Sequence, residues 1–282
     1  MAAVSEETLC VAGVRWRRYG PEAGDGTPLV IMHGLFGSGD NWRSQARALA
    51  GVGPGSGPGS GRTVYVADMP NHGESLHTER CSYPEIARLI WQSLDRMDAT
   101  ERVQLLGHSM GGKAAMAMAL ERPRRTERLV VVDIAPRVYP PRHEGIFTGM
   151  QAVAEAAPAS RGEAERLLSR FIPEKPVRLF LLKSLVPGPT DHGGYRWKLN
   201  LDGIRRCYRM ISDWPYESGT DHYPWQALFI RAGASPYVTD EDEDVIREFF
   251  PEARIATIAG AGHWVHAEQR EQFLSVVREA VS

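Results

Sequence analysis

Residues 103–112, Val-Gln-Leu-Leu-Gly-His-Ser-Met-Gly-Gly, carry an apolar strand into a Gly107-x-Ser109-x-Gly111 turn, and a run of small residues at 113–120 continues as a helix. A serine hydroxyl attacks a carbonyl only when it stands clear of its neighbours beside a base, and a sharp strand-to-helix turn lifts it into that position. Glycines at 107 and 111 let the backbones pass closely there. A helix that starts at the serine also aims unpaired amides, that of Met110 among them, at any oxyanion formed beside it. The spacing therefore predicts acyl transfer with Ser109 as nucleophile. The base is expected to be His263, which follows an apolar strand at 253–258 in a Gly-flanked loop, Gly260-Ala-Gly-His263. His266 lies three residues on and reads as structural. His108 must point away from its neighbour at a tight turn, His33 is expected to bond the loop that it begins, and His72 to order the 68–75 loop.

These residues need a frame, and composition gives its class. The chain has 282 residues, 43% hydrophobic and 24% charged, with a formal net charge of -2. That is enough to bury roughly 70 to 75% of its unfolded surface in one α/β domain with an insertion. Near-zero charge leaves no electrostatic footprint for nucleic acid or an anionic membrane. Cys10, Cys81 and Cys207 have neither disulfide-framework nor zinc spacing and are expected to be reduced thiols. No secretory signal or apolar run of spanning length is visible, so the default location is cytoplasmic.

Strands are expected at 9–11, 14–19, 28–32, 63–67, 103–107, 128–132, 227–231 and 253–258, with helices near 42–50, 83–97, 113–120, 242–250 and 269–281. Their alternation argues for a parallel sheet covered on both faces. The Gly/Ser/Pro run at 51–61 is expected to be a surface loop. From 137 to 222 the strand rhythm gives way to helical stretches near 144–155, 161–171, 176–185 and 202–211. The expected organisation is a core of 1–136 and 223–282 with an inserted helical cap at 137–222.

Six segments, His33-Gly-Leu-Phe-Gly-Ser38, Asp68-x-x-Asn-His-Gly-x-Ser75, Gly107-His-Ser-Met-Gly-Gly-Lys113, Val132-Asp-Ile-Ala-Pro136, Ser235-Pro-Tyr-Val238 and Gly260-Ala-Gly-His-Trp-Val-His-Ala-Glu268, together resemble the α/β-hydrolase superfamily. Within it they are similar to the YbfF-like small esterases and their mitochondrial relatives in animals. The resemblance covers essentially the whole chain and implies the α/β-hydrolase fold, in which serine, acid and histidine follow in that chain order. It implies a serine carboxylesterase acting on short to medium acyl esters, with thioesters as a further option.

The acid is harder to place. In most of the superfamily it follows the strand at 227–231, where this chain has Ser235, and a hydroxyl cannot balance an imidazolium. Asp133, ending the apolar run Leu-Val-Val-Val-Asp-Ile-Ala, asks for a partner. The resemblance also points to it, with Ser235 as a supporting hydroxyl. The bland alternative for Asp133 is a carboxylate capping loop amides; Asp240 and Asp202 are the other candidates. The oxyanion hole is expected from the Leu35 and Met110 amides. Leu35 and Met110, with Phe36, Ile146, Phe147, Met150, Leu182, Leu185 and Trp197, are candidate pocket walls. Arg137, Arg142, His143 and Lys113 could form a basic rim, although Lys113 reads more simply as solvated or carboxylate-paired. No metal or cofactor is implied, and the partner is a small acyl ester. Alternative readings are an acyl-coenzyme A thioesterase and a ligand-binding protein with a vestigial triad.

Overall fold

The computed structural model describes residues 6–22, 24, 26–51, 61–97, 101–188 and 193–282; positions 52–60 of the Gly-rich run lie outside them. Strands β1 (Glu7–Val11), β2 (Val14–Tyr19) and β3 (Leu29–Met32) lead to helix α1 (Arg43–Leu49) and β4 (Val64–Ala67). Helix α2 (Tyr83–Arg96), β5 (Val103–His108), α3 (Met110–Glu121) and β6 (Thr126–Val132) follow. The next segment holds α4 (Glu144–Ala156), α5 (Arg161–Leu168), α6 (Lys175–Leu181), a small hairpin of β7 (Leu185–Pro187) and β8 (Tyr195–Trp197), and α7 (Leu201–Ser212). The chain closes with β9 (Ala227–Ala232), α8 (Asp242–Phe249), β10 (Ala253–Ile258), α9 (Val265–Glu268) and α10 (Arg270–Val281).

Eight strands form one sheet in the order β1-β2-β4-β3-β5-β6-β9-β10. The strands from β4 to β10 run parallel, and β1 and β2 are antiparallel additions at one edge. Successive side chains of a strand face opposite ways. Val30, Leu105 and Val131 therefore enter a core shared with α2 and α3, while Ile31, Leu106 and Val130 enter a second core shared with α1 and α10. Burial on both faces explains why these strands read as unbroken apolar runs. The expected strands at 9–11 and 14–19, the parallel sheet and the closing helix are all present, and the first two strands pair as an antiparallel hairpin at the sheet edge. The β7–β8 hairpin falls where a helix was expected to end, its strands being too short to carry a period.

Parallel strands bring their C-terminal ends to one side of the sheet. The turns after β3, β4, β5, β6, β9 and β10 therefore gather there, as ligand-binding loops of such sheets do.

One sequence expectation is overturned. Cys81, just before α2, and Cys207, on α7, form a disulfide across 126 residues, and only Cys10 is free. No local spacing could reveal a pair that meets only once the fold is complete. Closing so long a loop is worth about 2 to 4 kcal/mol. The Cys81→Ser, Cys207→Ser double variant is expected to have a urea unfolding free energy lower than that of the oxidised wild type by that amount, and an unchanged midpoint would show the bond absent in solution. Among the described residues, no helix is long and apolar enough to cross a membrane.

Candidate active site

Ser109 sits at the turn between β5 and α3 with φ 54° and ψ -119°, a conformation few L-residues hold without support. The support is visible. Its amide donates to Val132 O at 3.0 Å, and the neighbouring backbones press so close that a Cβ on Gly107 would lie 2.0 Å from Gly111 O and one on Gly111 would lie 2.3 Å from Met32 O. Both glycines are therefore obligatory for this turn. Gly34 is needed for a similar reason: a Cβ there would meet His108 Nδ1 at 2.9 Å and Ser109 Cβ at 3.2 Å. The loop after β3 thus lies against the serine, and its Leu35 lines the same cavity as Met110, the first residue of α3.

Two buried histidines fix that loop. Met69 N donates to His33 Nε2 at 3.0 Å and Phe36 N to His72 Nε2 at 3.1 Å. With Nε2 accepting in each ring, Nδ1 carries the proton and donates, from His33 to Gly34 O and from His72 to Pro70 O, both at 2.8 Å. Burial holds both rings neutral, His72 down to about 3. Each histidine thus ties the β3 loop to the β4 loop.

Asp133 follows β6, wholly buried and at a positive φ of 50°. Its carboxylate accepts three hydrogen bonds. Oδ1 accepts the Ala232 amide at 3.1 Å; Oδ2 accepts His263 Nδ1 at 2.8 Å and Ser235 Oγ at 2.5 Å. A carboxylate on Nδ1 leaves Nε2 of His263 as the basic nitrogen, facing the cavity that Ser109 also lines. No hydrogen bond joins Ser109 to His263 among the described residues, a looseness common before substrate binds. The competing acids stand elsewhere: Asp240 pairs with Arg231 at the surface, and Asp202 is exposed at the start of α7.

Two supports of His263 had no sequence signal. His108 turns away from Ser109, as expected, and its Nε2 donates to His263 O at 2.8 Å, while the Tyr237 ring stacks on the imidazole at 4.1 Å. Each comes from a different loop, His108 from 155 residues earlier in the chain and Tyr237 from the loop after β9.

The cavity holds about 480 Å³ and is bounded by Leu35, Phe36, Met110 and Ile146, with Phe180 of α6 and Ile211 of α7 as walls that sequence reasoning missed. Five expected wall residues do not line it. Phe147 packs edge-on to Phe36 and Tyr208, Met150 is fully buried and its carbonyl accepts Trp197 Nε1 at 2.8 Å, and Leu182 and Leu185 are core. Helical apolar periodicity marks burial without saying against what.

The basic rim is kept in part. Arg142 lines the cavity as expected, whereas Arg137 is bound to Asp242 over Tyr139 and is not part of the lining, and His143, which does line it, is pushed down to about 4 by burial. Lys113 is neither solvated nor paired with a carboxylate. It is 2% exposed, and its Nζ donates to Ser212 O at 3.1 Å and Asp213 O at 2.8 Å, capping the end of α7. Burial pushes this ammonium from 10.5 down to about 7. Between those values the unfolded chain binds the proton more tightly, so this contribution to stability rises with pH across that window. Wild-type unfolding free energy relative to Lys113→Met is expected to climb from pH 7 to pH 10, by at most roughly 1.4 kcal/mol per unit. A pH-independent difference would refute it. Among the described residues no cluster of His, Cys, Asp or Glu is arranged to hold a metal.

A fold of this topology with a serine at the turn after β5 has known counterparts. The sequence profile described as the alpha/beta hydrolase fold matches residues 27–269. The chain belongs to the α/β-hydrolase family. Among its family relatives, the sn-1-specific diacylglycerol lipase ABHD11 of Xenopus laevis is 38% identical over 89% of this chain and 78% of its own. Esterase YbfF of Escherichia coli (strain K12) is 37% identical over 89% of this chain and 92% of its own. Among solved α/β hydrolases, a marine microorganism esterase superposes with a TM-score of 0.84 at 35% identity, covering 98% of this chain and 100% of that one.

Proposed function

We propose that this α/β hydrolase is a serine carboxylic ester hydrolase that cleaves short to medium acyl esters through an acyl-enzyme, with Ser109, His263 and Asp133 as its catalytic residues. Its family relatives bear the names esterase and diacylglycerol lipase, which do not favour the thioesterase or ligand-binding alternatives. The observation that carries the reading is the bond from His263 Nδ1 to the buried Asp133 carboxylate, beside a cavity that Ser109 lines.

The chemistry runs in two halves. Ser109 Oγ bonds to the ester carbonyl carbon as its proton passes to His263 Nε2, and the carbonyl oxygen becomes an oxyanion held by the Leu35 and Met110 amides. The C–O bond to the alcohol then breaks, and His263 returns the proton to the departing oxygen. Water repeats the sequence on the acyl-serine: its proton goes to His263, its oxygen to the carbonyl carbon, and Ser109 leaves reprotonated while the acid is released. Asp133 keeps its charge throughout and balances the imidazolium; Ser235 holds the carboxylate in place.

Residues 137–222 act as a helical cap on the core of 1–136 and 223–282. Its helices close the cavity over Ser109, and this sets chain length: 480 Å³ lies toward the lower part of the range of small-molecule sites. A series of p-nitrophenyl esters from acetate to palmitate is expected to give its highest kcat/KM between butyrate and octanoate. Best turnover on palmitate would overturn the pocket reading. A fluorophosphonate probe is expected to label wild type and not Ser109→Ala; labelling of both, or of neither, would overturn the nucleophile.

A further inference from the structure

We infer that Asn41 and His266 form a subsite that hydrogen-bonds a hydroxyl on the alcohol portion of the ester. This deepens the proposed function and rests on it.

Both residues line the active-site cavity, on the side where Trp42 lies buried. The His266 ring stacks on Trp42 at a centroid distance of 4.3 Å and an interplanar angle of 14°, and it is only 5% exposed. Buried polar atoms are ordinarily paired, yet Nδ1 of this ring has no partner. Nor does its Nε2 hydrogen-bond to any described residue; since it is not among the sealed, unpartnered atoms, it is the ring nitrogen open to the cavity. Asn41 is half committed. Its Oδ1 accepts the Ser38 amide at 2.8 Å, while the two protons of Nδ2 meet no acceptor among the described residues. Asn41 also borders a surface cleft with Arg43 and Lys183 and so stands at the rim of the cavity; with His266 beside an indole, this end of the cavity offers polar groups that an alkyl chain leaves unused.

The chemistry of the missing partner follows from what these groups offer. Burial, and then the nearby His263, push His266 down to about 3, so the ring is neutral and gives no attraction to a phosphate or carboxylate. Trp42 stacks on it, Trp264 and Phe180 line the same cavity, and these apolar faces favour a neutral group there, with Lys183 the one cation that acts on the ring among the described residues. With Nδ1 sealed off, Nε2 is a donor in one tautomer and an acceptor in the other, and a hydroxyl satisfies both while still accepting from Asn41 Nδ2.

The subsite also adjoins the proton donor of the reaction. The His108 ring lies 4.6 Å from that of His263 and 4.9 Å from that of His266, so the three rings form one continuous wall. His263 gives its proton to the leaving oxygen, which places the alcohol, rather than the acyl chain, along that wall.

The test compares kcat/KM for glycerol 1-butyrate, propyl butyrate and propyl 3-hydroxybutyrate in the wild type, His266→Phe and Asn41→Ala. Phenylalanine keeps the stack on Trp42 and removes both nitrogens. Wild type is expected to favour the glycerol ester over the propyl ester by roughly 3- to 10-fold, the worth of one or two neutral hydrogen bonds. That ratio should fall toward one in either variant. A wild-type ratio near one, a ratio surviving in both variants, or a gain from the acyl hydroxyl instead would overturn the inference. Turnover of p-nitrophenyl butyrate reports each variant's folding and separates the two readings: if wild type fails to cleave it, the hydrolase reading fails, and if it cleaves it without hydroxyl preference, only the subsite does.

Discussion

Replacing Ser109 with alanine is expected to lower kcat on p-nitrophenyl butyrate by about 10⁵ to 10⁶, to the level of background hydrolysis aided only by binding and the oxyanion amides. The size follows from the mechanism, because without Oγ there is no acyl-enzyme and His263 has nothing to deprotonate but water. The fold should not notice. Ser109 Oγ makes no hydrogen bond among the described residues, and alanine inherits the same positive φ, already enforced by Val132 O and the contacts of Gly107 and Gly111. A thermal midpoint within a degree or two of wild type, together with lost turnover, is the predicted pair of results. Turnover within tenfold of wild type would move the nucleophile elsewhere.

Asp133→Asn should cost about 10⁴ in kcat, again with the protein folded. The carboxylate receives three donors: the Ala232 amide, the Ser235 hydroxyl and His263 Nδ1. An asparagine has a single acceptor oxygen. If that oxygen stays on the Ala232 amide, Nδ2 faces the imidazole and donates to Nδ1. The proton is thereby forced onto Nε2, and the base is lost. If it turns to His263, the Ala232 amide is left facing an NH₂ group in a buried site, a penalty of about 1 to 3 kcal/mol. Asp240→Asn and Asp202→Asn act on surface carboxylates and should stay within twofold of wild type in the same kcat assay. Near-normal kcat in Asp133→Asn, with loss in either control, would reassign the acid.

What the sequence made legible was whatever repeats locally. Strands β2 and β10 are found at the expected residues, because two-sided burial or alternation writes itself into consecutive positions. Ser109 was legible because the turn demands glycines on either side, and Asp133 because a carboxylate in an apolar run needs an explanation. Features made by distant segments were not legible. The Cys81–Cys207 bond, the burial of Lys113 against carbonyls of α7, and the supports that His108 and Tyr237 give His263 all need the finished fold. Phe147 and Met150 failed as pocket walls because a helix in the segment between β6 and β9 has apolar neighbours on more than one side, and periodicity does not say which of them is substrate.

Helix α7 is fastened to the rest of the molecule along its whole length: Asn200 Nδ2 donates to Asn71 Oδ1 at 2.9 Å at its start, the disulfide holds its middle, and Lys113 with the Tyr83 hydroxyl, 2.6 Å from Ile211 O, holds its end. Among the described residues, the side-chain hydrogen bonds of helix α6, which contributes Val177, Phe180 and Leu181 to the cavity wall, run from Arg178 to Glu165, Ile172 O and Pro173 O, all within the inserted segment rather than to the core. Selectivity in this enzyme is thus divided between a permanent bank and an adjustable one. Laboratory evolution toward bulkier acids has room to work on α6, whereas changes to α7 would put the scaffold itself at risk.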